Sequence, residues 1–139
     1  MEGKPVARPL PLMRGFTKEF YGWCQKGELR FQRCSNCGVW RHVPREICAA
    51  CGSWAWSWEK SGGRGRVFTW TIAERALHPG FKDHTPYAPV VVEMEEGPRL
   101  LSEVKDCGPP ELEIGMEVEV VFDEVTAEVT LPRFRRVKG

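Results

Sequence analysis

No stretch of this 139-residue chain approaches the roughly 18 consecutive apolar residues that a membrane-spanning helix requires. Its opening, MEGKPVARPLPLMRG, is basic and lacks the apolar segment and small-residue cleavage point of an export signal. A cytoplasmic protein without a membrane role is therefore expected. Net charge is nearly absent, 20 Lys/Arg against 19 Asp/Glu, which excludes a uniformly basic nucleic-acid platform. Histidine is scarce at three residues, and no local set of nucleophile, base and orienting residue occurs. Internal repeats and low-complexity tracts are also missing. What is present, 42% hydrophobic and 28% charged residues, is the composition of a folded domain, or of one domain with a small metal module.

The near-zero charge conceals an asymmetry. Residues 1–66 carry 12 Lys/Arg and 5 Asp/Glu, and residues 67–139 carry 8 and 14. The organisation changes at the same place. Residues 1–15 hold Pro5, Pro9 and Pro11 and predict an extended leader. Phe16, Phe20 and Trp23 at helical spacing predict an amphipathic helix over 16–27, with Thr17 as N-cap and Gly27 just past its end. Residues 28–60 read as a small metal ribbon, entered by a strand from Glu28 to Gln32 and left by Trp54-Ala55-Trp56-Ser57-Trp58, whose alternation places three indoles on one face. Gly62, Gly63 and Gly65 mark a turn, after which residues 61–139 read as a barrel domain. Five strands are predicted there: Arg66–Ala76, Ala88–Glu95, Arg99–Asp106, Glu117–Phe122 and Val129–Val137. Pro109 to Gly115 supplies a short helical turn or tight loop after the third strand. The expected fold is mainly β: a helix and ribbon followed by a five-stranded OB-fold barrel, whose first-to-second and fourth-to-fifth strand loops commonly carry the ligand.

Cys34-Ser35-Asn36-Cys37-Gly38 and Cys48-Ala49-Ala50-Cys51-Gly52 are two copies of one knuckle. Each Cys-x-x-Cys turn aims two thiolates at one centre, and the glycine after it permits the left-handed backbone that closes the turn. Cys34, Cys37, Cys48 and Cys51 are therefore the expected ligands of one tetrahedral soft-metal site, zinc or, as the alternative, redox iron. With every position a thiolate, nothing is left open for water or substrate, and the role is structural.

Other features admit two readings each. Cys24 and Cys107 stand alone and read as buried, inert thiols. The loop holding His78, Phe81, Lys82, His84 and Tyr87 falls between the first two barrel strands, where an OB fold binds ligands; a plain surface loop is the alternative. The closing run of Arg133, Arg135, Arg136 and Lys138 suits the phosphates of a nucleotide-bearing cofactor, or is a solvated basic end. A module binding single-stranded nucleic acid is the rival function, opposed by the acidic second half.

The order of these features resembles the domain-of-unknown-function-35 family. The resemblance covers nearly the whole chain. It rests on Gly27 to Cys34, the paired knuckles, Gly63-Arg64-Gly65-Arg66-Val67-Phe68-Thr69-Trp70, His78-Pro79-Gly80-Phe81 with Pro86-Tyr87, Glu96-Gly97-Pro98-Arg99, Ile114-Gly115-Met116 and Val129-Thr130-Leu131-Pro132-Arg133-Phe134. It implies a rubredoxin-like zinc ribbon joined to an OB fold, with the four knuckle cysteines holding one structural zinc. It further implies a non-catalytic, accessory subunit of a heteromeric thiolase-type complex, which bridges partner subunits and helps bind acyl-CoA, for example in aromatic acyl-CoA degradation such as the benzylsuccinate pathway. Catalytic residues would then lie on the thiolase-like partner. His78, Phe81, Lys82, Tyr87, Arg133 and Arg135 become the expected contacts to coenzyme A.

Overall fold

A computed structural model describes residues 10–74 and 87–137. Helix α1 spans Gly15–Gln25 and buries Phe20 and Cys24, one turn apart. Arg14, not Thr17, occupies the N-cap position and makes no side-chain capping bond. The other end follows the sequence signal. Gly27 takes φ +76°, its amide donates to the Cys24 carbonyl at 2.9 Å, and the Glu28 amide donates to Trp23 at 3.0 Å. These two bonds are the glycine-terminated helix end in which a left-handed residue satisfies otherwise orphaned carbonyls.

The chain then forms a three-stranded antiparallel ribbon, β1 (Arg30–Cys34), β2 (Trp40–Arg41) and β3 (Trp56–Lys60), in the order β2-β1-β3. The entering strand runs two residues later than the predicted Glu28 to Gln32. Trp54 lies outside β3 and is 66% exposed, so only Trp56 and Trp58 pack, edge to face with centroids 5.3 Å apart. The reason is local: Ser53 and Ala55 are consumed by the knuckles, the Ser53 carbonyl accepting from the Cys48 amide and the Ala55 carbonyl from the Ser35 amide, each at 2.9 Å.

The second sheet contains β4 (Arg64–Trp70), β5 (Val90–Met94), β6 (Arg99–Ser102), β7 (Glu117–Glu124) and β8 (Thr130–Arg136), ordered β6-β5-β4-β7-β8. It curls until its two edges meet. Val104, just past β6, forms a parallel bridge with Phe134, whose amide donates to Glu103 at 2.9 Å and whose carbonyl accepts from Lys105 at 2.8 Å. This is the OB-fold connectivity, with a single 3-10 turn at Pro109–Glu111 after the third strand. The first predicted barrel strand is shorter than expected, ending at Trp70 with one further bridge between Ala73 and Tyr87; Arg75 and Ala76 lie outside the described residues.

Ribbon and barrel share one core. Phe20, Cys24, Leu29 and Phe31 from the first half join Val67, Val90, Val92, Val118 and Phe134 from the second. The connection between them is tied down: Glu96, in the β5–β6 turn, accepts from the Ser61 hydroxyl at 2.7 Å and the Gly62 amide at 2.9 Å. Gly65 has no room for a side chain, since an added Cβ would lie 2.6 Å from the Glu93 carbonyl oxygen and 2.7 Å from Val92. Gly65→Ala must part β4 from β5, and a loss of roughly 1–3 kcal/mol is expected in urea unfolding. An unchanged midpoint would show that the strands move apart freely.

His42 lies between Phe20 and Phe31, tilted 39° to the first with centroids at 4.9 Å and edge-on to the second at 5.5 Å. Burial pushes its imidazole down from 6.5 to about 4. The unfolded chain therefore takes up the proton first, so stability is complete above pH 6.5 and falls as pH drops toward 4. The fall amounts to on the order of 2–3 kcal/mol. His42→Phe keeps a ring at this position and lacks this acid limb, so the variant should gain on the wild type by that amount on acidification. An equal fall in both proteins contradicts it.

Candidate metal centre and barrel groove

The two knuckles are built alike. The amide of the first cysteine in each donates to the residue five positions on, Cys34 to Val39 and Cys48 to Ser53, both at 2.9 Å. The glycine amide returns to that cysteine's carbonyl, Gly38 to Cys34 at 3.0 Å and Gly52 to Cys48 at 2.8 Å, with both glycines at φ +78°. Placed face to face, the knuckles bring all four Sγ atoms within 4.8 Å of one another, with Cys34–Cys51 and Cys37–Cys48 at 3.6 Å. A tetrahedron with bonds of ~2.3 Å to sulfur has edges of about 3.8 Å, close to the two separations of 3.6 Å, so the four sulfurs are near enough to hold one zinc.

The backbone prepares the thiolates. The Cys37 amide points at the Cys34 sulfur from 3.5 Å and holds that thiol near 6, well below its ordinary 9. The Cys51 amide lowers Cys48 in the same way. At Cys37 the Val39 amide acts in the same sense, but desolvation and the neighbouring sulfurs outweigh it and push the thiol up to about 11. This spread is what closely crowded sulfurs show when the ionisation of one raises the cost of ionising the next. The Asn36 amide also reaches the Cys51 sulfur, at 3.5 Å.

The lone cysteines lie elsewhere. Cys24 is buried and desolvation raises its thiol to about 12, an unreactive state. Cys107 is half-buried rather than enclosed, and desolvation raises it also.

The second feature is a groove of about 270 Å³ at the barrel's closing seam. Its walls are apolar, made by Tyr21, Tyr87, Leu100, Leu101, Leu131 and Pro132. Tyr87 and Val125 bring to it the β4–β5 and β7–β8 connections, the two loops an OB fold commonly uses for ligands. Of the residues expected at coenzyme A, His78, Phe81 and Lys82 lie outside the described residues. Tyr87 and Arg133 line the groove; Arg135 does not.

The terminal cations are not free. Arg133 is 9% exposed, donates from Nε to Asp123 at 2.7 Å and pairs through Nη1 with Glu103 at 2.9 Å. Arg135 donates to Glu119 at 2.9 Å, and Arg136 meets Asp106 and Glu111. The antiparallel register explains this: acidic β7 lies beside basic β8, with Glu119 opposite Arg135. A strong positive field for nucleic-acid phosphates is therefore not displayed by β8.

Residues 24–56 match the family model of the ChsH2 rubredoxin-like zinc ribbon domain, and residues 58–123 match that of the ChsH2 C-terminal OB-fold domain. A "DUF35 domain-containing scaffold protein" of Pyrococcus furiosus is 38% identical, over 88% of this chain and 83% of its own length. The chain belongs to the DUF35 family of zinc-ribbon and OB-fold scaffold proteins. It is also 36% identical, over 96% of its length, to the "Probable enoyl-CoA hydratase alpha subunit" of Thermomonospora curvata, of which it spans only 42%. Among solved structures, a chain of "Ltp2-ChsH2(DUF35) aldolase" superposes with a TM-score of 0.80 and 33% identity, covering 93% of this chain and 98% of that one.

Proposed function

We propose that this chain is the non-catalytic, zinc-stabilised subunit of a heteromeric complex acting on acyl-CoA, seated on a thiolase-type catalytic partner and bridging its subunits. One structural zinc per chain is held by Cys34, Cys37, Cys48 and Cys51. The observation that carries the reading is the apolar groove at the barrel seam. At about 270 Å³ it takes part of a coenzyme A thioester but not the whole molecule, as drug-sized ligands already fill roughly 300–1,000 Å³. A ligand held this way must be completed by a second protein. The similarity to a DUF35 chain of an aldolase complex and to a hydratase alpha subunit supports an acyl-CoA enzyme as that protein.

In this reading Tyr87 and the leucines of β6 and β8 pack along the pantetheine arm. Arg133 borders the same groove, with its charge already met by Asp123 and Glu103. The exposed Arg135 exchanges Glu119 for a phosphate, and His78, Phe81 and Lys82 close the contact from the β4–β5 loop. Zinc supplies folding free energy and no open coordination position. Calorimetric titration with benzoyl-CoA and acetyl-CoA tests this. Binding to the complex at least ~10-fold tighter than to the chain alone is expected, with thiolytic turnover only in the complex. Turnover by the isolated chain, or titration by single-stranded DNA instead, overturns the reading.

A further inference from the structure

A second cleft, of about 430 Å³, lies between the ribbon and the β5–β6 hairpin. Neither the metal centre nor the seam groove accounts for it. One wall is β2, the residues after it and the second knuckle; the other is the turn from Gly97 to Arg99 with Glu93. Its surface is largely apolar, and Val39 and Val43 are 44% and 63% exposed there. Three guanidinium groups, Arg41, Arg45 and Arg99, border it against the single carboxylate of Glu93.

Two of these cations are fixed in advance. Arg41 donates from Nε to the Gln32 carboxamide oxygen at 2.7 Å and from Nη2 to the Arg45 carbonyl at 2.8 Å. Gln32 is completely buried, and the same oxygen accepts the Arg45 amide at 2.7 Å, so one enclosed carboxamide sets the whole Arg41–Arg45 turn. The enclosed Nη1 of Arg41 has no acceptor among the described residues, which leaves its charge only partly compensated. Arg99 lies over the Phe68 ring at 3.8 Å and pairs with Glu93 at 3.2 Å. The Arg45 side chain makes no hydrogen bond or ion pair among the described residues. Apolar surface bordered by preorganised arginines is a composition that protein interfaces favour, because little side-chain freedom is lost on docking.

We propose that this cleft receives an acidic segment of the catalytic partner, with an apolar side chain between Val39 and Val43 and carboxylates meeting Arg45 and Arg99 in the field of the fixed Arg41. The inference rests on the partner reading above and adds to it the docking surface and the sign of the partner's charge. Positive cleft and negative segment steer encounter, so the signature lies in the association rate and its salt dependence.

The test uses the catalytic subunit purified from the native complex. Its association with the wild-type chain is timed from low to moderate salt, beside Arg45→Glu/Arg99→Glu and a control of equal charge change, Lys18→Glu/Lys60→Glu, whose two lysines are exposed and do not line the cleft. The cleft variant should associate at least ~10-fold more slowly at low salt with a flatter salt dependence, and the control within about two-fold of wild type. Metal content and circular dichroism report folding, and Arg45→Gln/Arg99→Gln replaces the double reversal if that variant fails to fold. Equal rates for all three chains overturn the docking surface while leaving the partner reading standing. Failure of the wild-type chain to form any complex overturns both. Loss of self-association in the cleft variant, with partner binding intact, would assign the cleft to a second copy and overturn the proposal.

Discussion

Cys34→Ser is expected to lose its zinc and unfold the ribbon, the largest effect of any single substitution in this chain. Cys34 is buried at the end of β1, and its sulfur is held 3.6 Å from that of Cys51. A serine hydroxyl is shorter, harder and far less acidic than a thiol, so the site loses one of its four soft ligands. In isolated zinc modules binding contributes ~10–16 kcal/mol near neutral pH, as much as the whole stability of an ordinary domain. Because Phe31 precedes the knuckle on β1 and belongs to the shared core, loss of the ribbon should propagate to α1 and the barrel. Metal analysis should fall from one zinc per wild-type chain to near zero, and chelation or acidification of the wild type should reproduce the unfolding, since ligand sulfurs release metal as they protonate. A colourless protein is expected; a red one would assign iron. A folded variant that keeps one zinc would contradict the account.

Phe134→Ala should be the most damaging change in the barrel. Phe134 is fully buried on β8, and both its backbone groups carry the bonds that close the sheet. Removing a buried phenyl ring costs roughly 3–5 kcal/mol in transfer and cavity terms. For a chain of this size that corresponds to a fall in Tm of about 10–17 °C. Phe68, exposed and resting under Arg99, provides the contrast: its alanine variant should lose no more than about 1 kcal/mol. Paired thermal melts check both. Equal losses at the two positions would mean that the barrel core is not where Phe134 places it.

The parts of this structure that were legible in the sequence are those with a fixed local period or spacing. The Cys-x-x-Cys-Gly repeats gave the four-sulfur cage because each knuckle closes on itself through bonds within five residues. Gly27 marked the helix end because the left-handed residue there accepts glycine most readily. The strand-rich runs after Arg66 marked the barrel, and the OB connectivity followed from their number and the break after the third.

What escaped is non-local. β2 is two residues long and has no alternation to read, yet it orders the Arg41–Arg45 turn through Gln32, a polar residue the strand pattern did not single out. Trp54 looked like a strand residue because its neighbours are, and knuckle hydrogen bonds claim that segment instead. The cations of β8 looked available for phosphate because their partners lie on another strand. The signal was nonetheless there: Glu119 on β7 falls opposite Arg135 and Asp123 falls diagonal to Arg133 once the two strands pair antiparallel. The groove at the seam was legible only in its loops and in Tyr87 and Arg133; its leucine wall was not, since it exists only where the two edges of the sheet curl together.

The central claim is that this chain works as a zinc-bearing scaffold on an acyl-CoA enzyme. Native mass spectrometry of the protein purified from its own lysate in mild salt tests it most directly. The account predicts a stoichiometric assembly with a catalytic acyl-CoA subunit and one zinc for each copy of this chain. A chain that emerges alone, or bound to nucleic acid, with no such subunit attached, would contradict it.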